Sequence, residues 1–172
     1  MINGRQFRNT IGLFATGVAV IVSGDGDSVR AMTANAVTSL SLDPMLLVVC
    51  VHKKAHLAEM LQAGNGFSVN ILRQEQKDLS NYFAGGWHEE EPPFFQFVPW
   101  QGASRLEGSL ASVGCQLHQL LEGGDHWLVI GEVVALYQAD DVQNPLLFYA
   151  GRYQEIALEP DYVPPVNWDF EW

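Results

Sequence analysis

The side chains in this chain whose types and spacing can do chemistry gather in three places. The densest is Met32-Thr33-Ala34-Asn35-Ala36-Val37-Thr38-Ser39-Leu40-Ser41-Leu42-Asp43-Pro44, where Thr33, Asn35, Thr38, Ser39 and Ser41 fall within nine residues. Apolar sequence stands on both sides, most strongly in the run Met45 to Val51. A core strand would be spoiled by so many hydroxyls and amides, because each polar group buried without a partner costs about 1–3 kcal/mol. A surface loop would tolerate them but is rarely flanked so closely by core-type residues. A backbone path whose amides and hydroxyls meet a polar ligand accounts for both features.

The second place is Lys53-Lys54, an adjacent pair in a chain with only 9 Lys+Arg against 20 Asp+Glu. It follows the apolar run and precedes a helical pattern, and the start of a helix carries free amides and partial positive charge that suit an anion. A solvated surface pair is the competing reading of the same residues. The third is Gly124-Asp125-His126, where a turn hands an imidazole to the beginning of a strand pattern. Either His126 reaches a ligand there or it merely opens the strand.

Other chemistries lack their residues. His52 and His56 are four apart, but no Glu follows His52 in the HExxH manner and no third ligand is evident, so no metal site is expected. There is no G-x-S-x-G elbow and no GxGxxG turn, so neither a serine nucleophile of that type nor a nucleotide on a Rossmann turn is expected. Cys50 and Cys115 sit in separate apolar runs with no CxxC pair and read as buried free thiols.

The totals narrow the setting. The 172 residues suffice for one domain with a proper core, and 48% hydrophobic with 17% charged residues marks a globular chain. A formal net charge of −11 argues against nucleic acid or an anionic membrane as partner. No run approaches the ~20 apolar residues that span a bilayer, and the N-terminus lacks a signal-peptide pattern, so a cytoplasmic location is expected. The low charged fraction suggests a surface partly covered by a second copy, and a homodimer is expected.

The elements that must hold these groups are short. Asn3 and Gln6 form a capping box, with Phe7, Ile11 and Phe14 on one helical face. Gly17 to Ser23 reads as a strand, Gly24 to Asp27 as a hairpin turn and Arg30 to Asn35 as the returning strand. Met45 to Val51 is apolar on both faces and predicts a central, fully covered strand. Ala55 to Gln62 and Gln74 to Phe83 carry helical spacing, the first stopped by Gly64 and the second by Gly85-Gly86. Gly66 to Leu72 is strand, Ser112 to Leu121 and His126 to Tyr137 make a long hairpin, and Leu146 to Tyr149 with Arg152 to Ala157 make a short one. Residues 87–100 mix acids, prolines and large aromatics, which fits either a flap against a partner subunit or a loop tucked onto its own core. The pattern predicts a mostly β fold, an antiparallel barrel with a few short helices outside it. One domain is expected over residues 1–158, followed by an acidic, Pro- and Trp-rich tail at 159–172.

In order and spacing, Phe14-Ala15-Thr16-Gly17-Val18, Met32-Thr33-Ala34-Asn35-Ala36, Ser39-Leu40-Ser41-Leu42-Asp43-Pro44, Phe67-Ser68-Val69-Asn70-Ile71-Leu72, Gly124-Asp125-His126, Ile130-Gly131-Glu132-Val133 and Gly151-Arg152-Tyr153 resemble the flavin reductase-like family. These are FMN-binding split-barrel proteins that include the small reductase components of two-component monooxygenases. The resemblance implies an antiparallel, Greek-key split β-barrel, a homodimer with flavin near the subunit interface, and reduction of FMN or FAD by NADH or NADPH. It implies that reduced flavin passes to a partner monooxygenase by diffusion. It places the flavin against Met32, Thr33, Ala34, Asn35, Ser39, Leu40 and Ser41, with Asn70 and Phe83 as further cofactor contacts. The flavin phosphate falls at Lys53 and Lys54, where many members have a Ser or Thr in place of Ala55 or His56. His126 is implied as the catalytic contact to the nicotinamide nucleotide, assisted by Arg152 and Tyr153. A flavin carrier or sensor without reductase activity, and a split-barrel oxidase acting on another substrate, are the alternative functions.

Overall fold

The computed structural model describes residues 1–141 and 144–156. Helix α1 (Gly4–Ile11) leads through β1 (Thr16–Gly17) to β2 (Ala19–Ser23), β3 (Arg30–Ala34), β4 (Val37–Leu42) and β5 (Met45–His52). Helix α2 (His56–Gln62), β6 (Phe67–Ile71), α3 (Lys77–Phe83), β7 (Phe97–Val98) and β8 (Arg105–Leu106) follow. The long hairpin β9 (Ala111–Gly123) and β10 (His126–Gln138) then precedes β11 (Leu147–Tyr149) and β12 (Arg152–Gln154).

The main sheet has seven strands in the order β3-β2-β6-β9-β10-β5-β4, paired antiparallel. Its edge strands, β3 and β4, are consecutive in the chain and joined only by Asn35 and Ala36. A link of two residues spans on the order of 10 Å, so the sheet must curl until its edges nearly meet. They come close without pairing, which makes the barrel split, and the polar stretch occupies the split.

Inside the barrel, Ile21, Val49, Val51, Phe67, Val69, Cys115 and Val129 pack with Leu57, Ala58 and Leu61 of α2. That placement explains the Ile130-Gly131-Glu132 pattern, because a Cβ at Gly131 would run into the Phe67 ring and Cys115. A second cluster lies on the outer face of β2 and β6, where Val18, Val20, Val22 and Leu72 meet Leu79 of α3, Leu106 of β8 and Leu146.

The expected elements appear with small shifts at their ends, and the Asn3–Gln6 capping box forms as expected. Two expectations change. Strand β5 is covered on one face only: Leu47, Val49 and Val51 are buried, while Leu46, Val48 and Cys50 on the other face are half-exposed and Met45 is exposed. Cys50 is therefore not a buried thiol, unlike Cys115. Helix α1 buries nothing, and its Phe7, Ile11 and Phe14 face are all exposed. Within 87–100, Phe95 and Phe97 pack onto the second cluster, whereas Phe94 stands 92% exposed. The tail at 159–172 and Ala157 lie outside the described residues.

Candidate active site

The three groups of polar residues have different fates in the fold. At the split, Thr33 turns toward α3 and its hydroxyl donates to the Ser80 carbonyl at 2.7 Å. Met32 is half-buried against the barrel core and Ala34 is buried. Asn35 is exposed, and its amide donates to the Thr16 hydroxyl at 3.2 Å. Along β4, Thr38 donates to the Ser39 carbonyl and the Ser41 hydroxyl accepts the Asp43 N–H. The β4–β5 register slips between Ser39 and Ser41, so Leu40 sits in a bulge with its side chain exposed. A bulge re-aims side chains at a sheet edge, and here it leaves Ser39 and Leu40 facing outward from the split.

The end of β5 carries the second group. The Cys50 N–H bonds the Ala36 carbonyl at 3.0 Å, which ties the split to this end of the barrel. Two residues on, His52 is the direct cross-strand partner of His126 on β10. The Lys53 N–H bonds the Asp125 carbonyl at 3.0 Å, so the strand end and the 124–125 turn are stitched together. The Lys53 ammonium is engaged, 2.9 Å from a Glu122 carboxylate oxygen and 4.8 Å above the Trp127 ring centroid. Lys54 is exposed, and its amide donates to His52 Nδ1 at 3.0 Å. His126 Nδ1 lies 2.7 Å from Asp125 Oδ1. The hydrogen bond from His126, and next its charge, hold the Asp125 carboxyl below its ordinary range, so Asp125 is a carboxylate and the imidazole N–H donates to it.

Of the remaining expected residues, Asn70, Tyr153 and Phe83 turn inward. Asn70 is fully buried, donating to the Val20 carbonyl and the Ser68 hydroxyl and accepting from the Leu106 N–H and the Ser112 hydroxyl. With its amide satisfied on both sides, Asn70 organises the packing between β2, β6, β8 and β9, and its side chain has no free donor or acceptor to offer a cofactor. Tyr153 likewise faces α3: its hydroxyl is 2.8 Å from Ser80 Oγ and donates to Asn81 Oδ1 at 3.0 Å, with the Lys77 ammonium 5.6 Å from its ring. Phe83 joins Tyr82, Phe95 and Phe97 in an aromatic cluster. Arg152 is exposed. Burial pushes the Cys115 thiol up to about 12, which leaves it inert as a nucleophile.

Sequence reasoning singled out His52 beside His56 but missed its pairing with His126, and it missed Ser80, Glu122 and Trp127. Glu122 and Trp127 flank the turn that drew attention to His126, so the turn's neighbours were the available signal; nothing local marks Ser80 as the acceptor for Thr33. A cleft of about 410 Å³ lies on the opposite face of α3 from Ser80 and Asn81, lined by Glu75, Asp78, Leu79, Phe95 and Glu107 among others. None of the expected site residues lines it, and its three carboxylates would repel a dinucleotide.

The open end of the barrel thus brings together the Asn35-Ala36 link, the His52–His126 pair and two lysines. Exposed amide and hydroxyl groups at 35–41 supply both donors and acceptors, the complement of a flavin ring edge that carries carbonyl oxygens and an N–H. The lysines supply cations for a phosphate. The donor set fits a flavin. Among the described residues no cluster of His, Cys, Asp and Glu could hold a metal, and no helix is long and apolar enough to cross a membrane.

Comparisons with known proteins agree with this site. Residues 11–157 match the model of the flavin reductase like domain. The reductase subunit HsaB of a flavin-dependent monooxygenase from Mycobacterium tuberculosis is 35% identical, over 97% of this chain and 89% of its own. The NADH-dependent FAD reductase of Streptomyces globisporus is 37% identical over 91% of this chain and 87% of its own. Among solved structures, the flavin reductase PheA2 superposes with a TM-score of 0.84 at 41% identity, covering 91% of this chain and all of its own. A split barrel, a polar split with a flavin-compatible donor set and these likenesses lead to one assignment: the chain belongs to the flavin reductase-like family.

Proposed function

We propose that this chain reduces FMN or FAD with a nicotinamide nucleotide and supplies the reduced flavin to a partner monooxygenase. The observation that carries the reading is the convergence, at one barrel end, of the open link Asn35-Ala36 with His126 and Lys53 in a member of this family. Relatives named as NADH-dependent flavin, FAD and FMN reductases favour NADH as donor.

The flavin, when bound, supplies the hydride-accepting chemistry. The chain's own work is to hold two flat rings in contact, since orientation rather than proton transfer is the main requirement. The backbone at Thr33 to Asn35, with the backbone and side chains at Ser39 to Ser41, holds the ring, and Lys53 and Lys54 neutralise phosphate. His126, fixed by Asp125, meets the nucleotide. No acid or base of the protein is required to move the hydride.

The chain works as a homodimer in the cytoplasm. Phe7, Ile11, Leu13 and Phe14 around α1, with Leu42 and Met45 at the β4–β5 hairpin, expose more apolar surface than an isolated monomer carries comfortably. Light scattering at micromolar concentration should return a dimer mass; a monomer would refute this part.

Stopped-flow bleaching of added FMN and FAD by NADH and by NADPH under argon tests the activity. Rapid bleaching with at least one pair is expected. Tight flavin binding without bleaching would make the chain a carrier or sensor, and slow bleaching of a flavin that never dissociates would make it an oxidase.

A further inference from the structure

The cross-strand imidazole at His52 has no role in the reading so far, and its geometry is specific. His52 and His126 are paired in direct register between β5 and β10, with ring centroids 5.0 Å apart and planes at 82°. His52 Nδ1 accepts the Lys54 N–H at 3.0 Å. An acceptor nitrogen carries no proton, so the ring is a neutral imidazole with its N–H at Nε2. His126 bonds the Asp125 carboxylate through Nδ1, which must carry the proton because a carboxylate can only accept. Among the described residues, the Nε2 atoms of both rings have no hydrogen-bond partner.

We propose that His52 is a positioning residue for His126: its ring, anchored by the Lys54 amide, meets the His126 ring edge to face and holds it in the one orientation that also keeps the Asp125 bond. This rests on the reading of His126 as the nucleotide contact. The Asp125 bond alone fixes one atom of the imidazole and leaves rotation about that contact open. The His52 ring supplies the second constraint. The backbone bond from Lys53 N–H to the Asp125 carbonyl keeps the turn that carries Asp125 in step with the strand that carries His52.

The test uses the full chain and its flavin and reads His126 in two ways. Long-range proton–nitrogen NMR of the ring nitrogens reports the His126 tautomer directly. In His52→Ala the His126 signals should move from a single Nδ1–H form toward a mixture of tautomers. KM for NADH should rise about three- to tenfold, the range that an edge-to-face ring contact supports. At saturating NADH, kcat should stay within about twofold, because the hydride path is between the bound rings. His52→Phe keeps a ring at the same place and should restore most of both readouts. Unchanged His126 signals and unchanged KM in His52→Ala overturn the proposal, as does a His52→Phe variant no better than His52→Ala. His126→Ala separates the two readings: if it leaves KM for NADH unaltered while His52→Ala still shifts the His126 signals, the nucleotide role of His126 has failed and not the ring contact.

Discussion

Two polar regions of this barrel are built from similar side chains and end up in opposite states. Around α3, Thr33, Ser80, Asn81 and Tyr153 bond one another, and Asn70 lies fully buried with four partners. At the open end, Asn35, Lys54 and His126 remain at least partly exposed, and His126 has only one of its ring nitrogens bonded. The first region is saturated and holds α3 and the outer strands to the barrel. The second is oriented but unfilled. A polar side chain with every lone pair and proton met inside the protein stabilises the fold, whereas one held by a single bond and open to solvent is ready for a ligand.

Removing a saturated group should break this contrast most severely. Asn70→Ala orphans the Leu106 N–H and the Ser112 hydroxyl in a dry core, and should cost about 2–4 kcal/mol of stability. Urea unfolding should show a lower midpoint, with flavin affinity of the folded fraction near wild type. A large loss of flavin affinity at unchanged stability would return Asn70 to the ligand site.

His126→Ala attacks the open end and should do the reverse. KM for NADH should rise about tenfold, with the thermal midpoint little moved, because a half-exposed side chain held by one hydrogen bond to an exposed carboxylate contributes little to folding. Complete loss of reduction would point to obligatory acid catalysis instead.

Tyr153→Phe removes two hydrogen bonds in the half-buried α3 region while keeping the ring, and about 1–2 kcal/mol should be lost. Nucleotide KM should not follow. If it does, the α3 region is also part of the ligand site and the contrast dissolves.

Lys53→Ala with Lys54→Ala should weaken flavin binding about three- to tenfold with little change in reduction at saturating flavin, since contacts to a phosphate are remote from the ring. Glu122→Gln sharpens this: it frees the Lys53 ammonium from its 2.9 Å partner and should tighten flavin binding slightly. An unchanged dissociation constant in both variants would move the phosphate elsewhere.

The smallest effect concerns pH. The Asp125 carboxyl is held below its ordinary value of 3.8, so the deprotonated form is favoured in the folded chain. Whatever the His126–Asp125 pair contributes is present above that value and is lost as pH falls through the depressed one. Protonation of Asp125 should therefore raise KM for NADH only in strong acid, below the ordinary carboxyl range. In Asp125→Asn that acid rise should disappear.

Much of the barrel was legible because its signals are local. The hairpin turn that brings back the strand at Arg30 to Ala34, the glycine turn before His126, the capping box at Asn3 and the stop at Gly64 each depend on residues a few positions apart, and all reappear in the structure. The apolar run at β5 misled, because composition cannot tell a face covered by the same chain from one left open. Leu46 and Val48 are as apolar as Leu47 and Val49 but lie outside the barrel.

By its sequence alone this chain determined a mostly β domain, its polar stretch and the family resemblance, since turn chemistry and apolar spacing act over short separations. Only the tertiary structure decided which polar groups are already satisfied. Asn70 and Asn35 are the same residue type in similar strand-like surroundings, and the first meets four partners from β2, β6, β8 and β9 while the second meets one. His52 and His126 face each other because β5 and β10 pair in one particular register, and the closing of the split sets Ala36 against Cys50 at the same end. Those contacts join segments far apart in the chain, and the packing of both barrel layers selects them.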